Sequence, residues 1–400
     1  MRICLVRLPS SFLINERAFP PLGLMAVGTA LKQGGHTVHI HDGAIFETPL
    51  DYDAYGFGPT TPEYADALVV KARLQEESPR PRLVLGGTFA TLNPDRCLAD
   101  GWDCVVFGDG EPVADRAFTG TDRTIHAAPQ PLDSYPIIDR SLLNIYRYTY
   151  SLRGRPATTM VTSRGCPWAC TFCCKTESST RLRSAAHVIR EIDYLRDEFG
   201  YRALAIPDDI FILYRARTEA IARHFQARGI LWRCLVRGDL VVRYGRDFVQ
   251  MMADCGCVSV GMGMETGSPR LLDAIHKGET LPVIKQAIAW LQDAQIAVKG
   301  FFILGLPGES PETLQETAQF LAEMQLDDVD IKVYQPYPGS PIWRDKATLD
   351  IDWDEGALEQ QFYKGRIGDY HGTVRTSCLT NAEIVAAMTQ LEARYKHASL

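Results

Sequence analysis

The chain has no apolar run approaching the roughly 20 residues that span a bilayer, so an integral membrane protein is not expected. It has no long basic block. Its net charge of −7 is made of both signs spread along the sequence, which argues against a nucleic-acid partner. It lacks short internal repeats and low-complexity tracts. Its first residues, Met1 to Val6, pass directly into a strand-like run. A charged n-region, an apolar h-region and a small-residue cleavage site are missing, so the expected compartment is the cytoplasm. What remains is ordinary for a globular chain of 400 residues: 46% apolar and 23% charged, long enough for two or three domains.

Cysteine is the exception, with 11 in the chain. A reducing compartment argues against a disulfide framework. Cys166, Cys170, Cys173 and Cys174 fall within one short stretch, and such crowding points to a metal site.

Strand and helix signals alternate from the start. Ile3–Val6, Thr37–His41, Tyr55–Phe57, Leu83–Leu85 and Cys104–Phe107 read as strands. Leu22–Gln33 reads as a helix stopped by Gly34 and Gly35, and a second helix is expected from about Pro62 to Glu77. Apolar strands ending in glycine turns predict an α/β fold: a doubly wound, Rossmann-like parallel sheet over residues 1–125. Residues 126–150, with Pro129, Pro131 and Pro136, read as a linker. The alternation resumes at Thr159–Thr162, Ala203–Ile206, Trp232–Leu235, Val258–Met262, Lys299–Leu304 and Asp330–Tyr334. This predicts a partial (β/α)6 TIM-type barrel over 151–345. Residues 346–400 read as a small helical C-terminal cap, with a helix near Asn381–Lys396.

Cys166, Cys170 and Cys173 form CxxxCxxC just after the first strand of the second series, where a barrel places its chemistry. Three thiolates can hold three irons of a 4Fe–4S cube and leave the fourth open. The competing reading is zinc, which wants four closed ligands. Cys174 is a poor fourth because adjacent residues rarely chelate one tetrahedral ion.

With Phe172 before the third cysteine, this motif resembles that of the radical S-adenosylmethionine superfamily. Over nearly the whole chain the sequence resembles the group carrying an N-terminal cobalamin-binding domain. The resemblance implies a 4Fe–4S cluster on Cys166, Cys170 and Cys173, and S-adenosylmethionine. The acidic end of Ile206–Phe211 would face the cofactor's amino group, with Asp208 favoured, Asp209 next to it, and one of the two expected to cap a helix. Arg237 would hold the cofactor carboxylate, the alternative being a surface ion pair. Glu265 would face the ribose or methionine part. Gly305 would let backbone approach the adenine, beside an apolar contact from Ile303. Glu309 would cap the next helix. Cys174 is a candidate catalytic hydrogen donor or second-cluster ligand, the simpler role being a packed neighbour. Tyr363, Arg366, Asp369, Tyr370 and His371 are candidates to close over the pocket.

In the first domain the resemblance runs through Phe19–Leu24, Gly56–Pro62, Leu85–Thr91 (with Gly86, Gly87 and Thr88) and Val106–Glu111, whose glycine turns would receive a corrin. Two departures stand against this. The DxHxxG motif is absent, and the stretch from Asp42 to Tyr55 is too short for the usual helix between the second and third strands. Cobalamin is therefore a possible third cofactor, the alternative being a scaffold domain that shapes the pocket.

The implied activity is reductive cleavage of S-adenosylmethionine to a 5′-deoxyadenosyl radical that takes hydrogen from a small-molecule substrate, of the natural-product kind. Electrons would come from an external one-electron reductant such as flavodoxin or ferredoxin. Cobalamin-dependent C-methylation is the leading outcome. A cobalamin-free oxidoreductase, dehydratase or epimerase comes second, and a non-catalytic Fe–S protein third.

Overall fold

The computed structural model describes residues 1–10, 13, 15–77, 80–177, 179–355 and 371–396. Tyr363, Arg366, Asp369 and Tyr370 lie outside the described residues. The chain forms two compact units, Met1–Thr149 and Tyr150–Leu400. Among the described residues no helix is long and apolar enough to cross a membrane.

The first unit is a six-stranded parallel sheet: β1 (Arg2–Val6), β2 (Thr37–His41), β3 (Ala54–Phe57), β4 (Arg82–Leu85), β5 (Cys104–Phe107) and β6 (Thr124–His126), in the order β2-β1-β3-β4-β5-β6. Successive residues of each strand feed opposite cores. Cys4, Val6, Tyr55, Phe57 and Leu85 pack with Tyr64 and Trp102 on one face; Ile3, Leu5, Val84 and Val106 pack with Met25 and Phe118 on the other. Burial on both faces is why the inner strands β1, β3, β4 and β5 are almost wholly apolar, while the edge strands β2 and β6 carry exposed polar residues. The helix Leu22–Gln33 stops at Gly34 and Gly35 as expected. Between β2 and β3 the chain makes one 3-10 turn, Ile45–Glu47, where a helix was expected to be lost.

The proline-rich stretch read as a linker folds back on this unit. Its first residue, His126, belongs to β6. Beyond it, the Tyr135 hydroxyl donates to Asp109 at 2.6 Å and the Asp139 amide donates to Thr29 Oγ1 at 2.9 Å. Leu132, Ile145 and Tyr148 are buried.

The second unit is a curled half-barrel. It begins with a hairpin of β7 (Ser151–Leu152) and β8 (Arg155–Thr159). Parallel strands β11 (Ala203–Ile206), β12 (Leu231–Val236), β13 (Cys257–Glu265), β14 (Ala297–Leu304) and β15 (Asp328–Val333) follow β8 in sequential order. Between β8 and β11, β9 (Ser163–Arg164) and β10 (Arg181–Leu182) pair antiparallel and close the base of the cysteine loop.

The first barrel strand ends at Thr159, earlier than the sequence suggests, because Thr162 and Ser163 are recruited elsewhere. Buried Asp208 accepts from the Thr162 amide at 2.6 Å, from the Thr162 hydroxyl, and from the Ser163 hydroxyl at 2.8 Å. Arg217 donates to the carbonyls of Arg183 and Thr162, and Arg183 pairs with buried Glu191 at 2.5 Å.

At the other side of the barrel, the turn after β14 is filled from the C-terminal segment. Gly305 has φ +84°, and a Cβ there would lie 2.8 Å from Val374 Cγ2 and 3.3 Å from Ile384 Cδ1. A side chain at Gly305 would therefore collide with the C-terminal segment. Val374 belongs to β17 (Val374–Arg375), which pairs with β16 (Asp352–Trp353). Ile384 lies on the helix Asn381–Tyr395, close to the extent expected. Ser310, not Glu309, caps the helix Pro311–Met324. Fully buried Glu309 instead accepts from the Gly305 amide at 3.1 Å and from Thr313 Oγ1 at 2.5 Å.

Two outcomes follow for stability. Asp208→Ala leaves three donors without an acceptor, and we expect a loss of roughly 3 kcal/mol in urea unfolding; an unchanged midpoint would contradict the pinning role. Burial holds the Glu309 carboxyl up at about 7, against an ordinary 4.5. The fold therefore favours the neutral acid. Its stabilising contribution, on the order of 3 kcal/mol, is complete below the unfolded pKa and lost as pH rises toward about 7. Glu309→Gln should flatten stability against pH between about 5 and 7, and a slope identical to wild type would count against this.

Candidate active site

The parallel strands of the second unit deliver their C-terminal ends to one cavity of about 340 Å³. Cys166, Cys170, Cys173, Cys174 and Phe172 line it from the loop after β8. Asp209 comes from the turn after β11, Arg237 from the end of β12, Glu265 from the last position of β13, and Phe301 from β14. The middle of the cysteine loop is fixed by backbone: the Thr171 amide donates to Ile275 O at 2.9 Å, and the Ile342 amide donates to Thr171 O at 3.1 Å.

The thiols are not equivalent. Cys170 and Cys173 are hydrogen-bonded to each other. That bond, aided by the nearby Lys277 and Arg237 cations and opposed by burial, pulls Cys170 down to about 6. The same bond pushes Cys173 up, as does burial. Burial also raises Cys166. The direction of both shifts favours negative charge on Cys170 over Cys173. A thiolate beside buried cations, with two further thiols on the same cavity, is the soft donor set that an iron–sulfur cluster takes. Cys174 lines the cavity, but its thiol donates to the carbonyls of Tyr337 (3.5 Å) and Pro338 (3.3 Å), and burial raises it to about 11.

The two aspartates divide their work differently from the expectation. Asp208 is spent on Thr162 and Ser163, while Asp209 lines the cavity, with its pKa raised by burial. Neither caps a helix, since the next one, Arg215–Arg228, is preceded by Tyr214. Arg237 is buried rather than a surface ion pair. Its Nε and Nη2 donate to Asp239 at 3.1 and 3.2 Å, Nη2 also donates to Lys277 O at 2.9 Å, and Trp168 stacks on the guanidinium at 4.3 Å. Glu265 is buried and accepts from Lys277 Nζ at 2.7 Å. Ile303 is not among the described residues lining the cavity; Phe301, two residues earlier on the same strand, takes that place. The sequence reading also missed Trp168 and Lys277. Trp168 sits inside the cysteine motif. Lys277 and Glu279 flank a glycine after a short helix, a weak signal for a buried charge pair.

In the first unit, strand order reverses between β1 and β3, the place where an open parallel sheet binds ligands. A crevice of about 220 Å³ lies there, lined by residues that include Val6, Arg7, Leu8, Phe19 and Gly58. Gly86, Gly87 and Thr88 sit beyond β4, outside the described crevice lining. Gly87 has φ +83°, and a Cβ on it would come within 3.2 Å of Gly58 Cα, so the two turns meet backbone to backbone. Gly58, Gly87 and Thr88 are exposed. His41 Nε2 is engaged with Ala44 O at 2.9 Å.

Residues 160–321 match the radical SAM superfamily model, and residues 16–117 match the B12 binding domain model. An uncharacterised methyltransferase of Pyrococcus horikoshii is 28% identical, over 88% of this chain and 85% of that protein. The anaerobic magnesium-protoporphyrin IX monomethyl ester cyclase of Cereibacter sphaeroides is 26% identical, over 82% of this chain and 60% of that protein. Among solved structures, the radical S-adenosylmethionine methyltransferase TsrM from Kitasatospora setae superposes with a TM-score of 0.71 at 16% identity, covering 94% of this chain and 85% of TsrM. The cobalamin-dependent radical enzyme OxsB gives 0.67 at 17% identity, over 98% of this chain and 61% of OxsB. At these identities the two structures establish the fold. The chain therefore carries a radical SAM domain over residues 160–321 and, ahead of it in sequence, a B12 binding domain over residues 16–117, and this pair of domains takes a 4Fe–4S cluster, S-adenosylmethionine and cobalamin.

Proposed function

We propose that this protein is a cobalamin-dependent radical S-adenosylmethionine methyltransferase that methylates a carbon of a small molecule, with electrons from a flavodoxin or ferredoxin-like donor. The observation that carries the reading is the convergence of Cys166, Cys170 and Cys173 with Asp209, Arg237 and Glu265 on one cavity. Bound there, a 4Fe–4S cluster and S-adenosylmethionine supply one-electron cleavage of a sulfonium carbon–sulfur bond, and cobalamin supplies a methyl carrier.

The protein's own part is binding, orientation and exclusion of water. The three cysteines would hold the 4Fe–4S cluster through their thiolates. Asp209 offers a carboxylate to the cofactor's ammonium, and Arg237, packed against the Trp168 ring, offers its guanidinium to the cofactor's carboxylate. Phe172 and Phe301 keep apolar surface on the cavity wall. Cys174, held by two carbonyls, serves the loop's packing rather than hydrogen donation. The likeness to a protein named as a cyclase favours a second reading, a radical reaction without methyl transfer.

The test is anaerobic reconstitution with iron, sulfide and hydroxocobalamin, then gel filtration. The recovered protein is incubated with trideuteromethyl-labelled S-adenosylmethionine, a low-potential reductant and a small-molecule extract. Stoichiometric cobalamin and a labelled product are expected. Retained cobalamin with an unlabelled, oxidised product would replace methyl transfer by the second reading. Cys170→Ala should lose the iron–sulfur absorbance and bring 5′-deoxyadenosine down to the protein-free level; retained cleavage would contradict the cluster assignment.

A further inference from the structure

One wall of the cavity carries a run of charges of alternating sign: Glu265, Lys277, Glu279, Arg237 and Asp239. Lys277 Nζ lies 2.7 Å from Glu265 Oε1 and 3.7 Å from Glu279 Oε2. Arg237 Nη2 lies 3.3 Å from Glu279 Oε2, and the Asp239 amide donates to Glu279 Oε1 at 2.9 Å. Glu279 has no exposed side-chain surface, and the Lys277 side chain is 6% exposed. A charge so deeply buried is costly unless it is paired, and here each member has at least one oppositely charged partner, while Glu279 stands between two cations and also accepts from a backbone amide.

A purely structural salt bridge would satisfy the fold and stop there. Two features point further. Glu265 has φ +64°, in the left-handed region that residues with a side chain avoid, at the place where β13 shifts register against β14. Such a conformation persists only where its surroundings over-determine it. It ends the strand with the carboxylate on the cavity. The second feature is Gly263. A Cβ there would lie 2.5 Å from Glu265 Oε1 and 3.1 Å from Lys277 Nζ. The absent methyl is the space in which the ammonium and the carboxylate meet. Glu265, Lys277 and Arg237 all line the cavity, while Glu279 sits behind them.

We propose that Lys277 is a positioning residue for the cofactor site: anchored from behind by Glu279, its ammonium fixes the Glu265 carboxylate and, through Glu279 and its own carbonyl, the Arg237 guanidinium, toward the charged amino-acid end of S-adenosylmethionine. This rests on the reading that the cavity takes that cofactor. Without Lys277, Glu265 and Glu279 face each other as two buried like charges, and Arg237 is left to neutralise Glu279 instead of a ligand.

The experiment is calorimetric titration of S-adenosylmethionine into reconstituted protein of full iron–sulfur absorbance, without reductant. Lys277→Met should weaken binding by about ten- to a hundred-fold, the scale of a charge-assisted contact. Lys277→Arg should restore it to within about threefold. Glu265→Gln should weaken it too, and the double variant should be no weaker than the worse single one, because the two residues act as a unit. Wild-type affinity in Lys277→Met, or strictly additive losses, would overturn the proposal. Should Lys277→Met fail to hold its cluster, Gly263→Ala perturbs the same contact without removing a charge. Weaker binding with an intact cluster is then expected, and unchanged binding would overturn the proposal. Failure of the wild-type protein itself to bind S-adenosylmethionine would overturn the reading of the cavity, and this inference with it.

Discussion

A single buried carboxylate fixes where the chemistry can happen. Asp208, at the end of β11, gathers the Thr162 amide and the hydroxyls of Thr162 and Ser163, and so ties the second parallel strand to the start of the cysteine loop. Arg217 and Arg183 reinforce the same junction through carbonyls on either side of the loop. The β9–β10 pairing closes the loop at its base, and Ile275 and Ile342 hold its middle. A cluster-binding loop must present three thiols at once, so its anchor has to be rigid before any ligand arrives. Donors buried without an acceptor would cost more than the bonds contribute, which makes the arrangement all-or-none.

From that anchor the electrostatics of the cavity follow. Two buried cations, Lys277 and Arg237, stand close enough to Cys170 to favour its thiolate, and each is tied to carboxylates that keep it in place. The thiols therefore meet iron in a setting that offsets the negative charge they bring. The same cations and carboxylates form the polar side of a cavity whose other side is aromatic. Such a division suits a ligand with a charged amino-acid end and a flat apolar base.

Much of the architecture was legible in the sequence, for identifiable reasons. Strands buried on both faces are continuous apolar runs, so β1, β5 and β11 stand out, and Gly34 with Gly35 marks the end of the first helix. β6 was missed because Thr124–His126 carries one apolar residue at a sheet edge. The three cysteines were found by spacing. Asp208 and Asp209 could not be told apart, because adjacent residues in a turn look alike until one is seen to be claimed by Thr162. The packing of Val374 and Ile384 against Gly305 could not be read either, because both are distant in sequence. Lys277 was invisible for the same reason: its significance lies in partners contributed by other elements.

The central claim is that Cys166, Cys170 and Cys173 hold one cluster with an iron left open for S-adenosylmethionine. It is tested most directly by low-temperature electron paramagnetic resonance of the reconstituted, reduced protein with and without that cofactor. The account predicts the signal of one reduced 4Fe–4S cluster whose g values shift when S-adenosylmethionine is added. A cluster signal indifferent to the cofactor, or no such signal at full iron content, would contradict it.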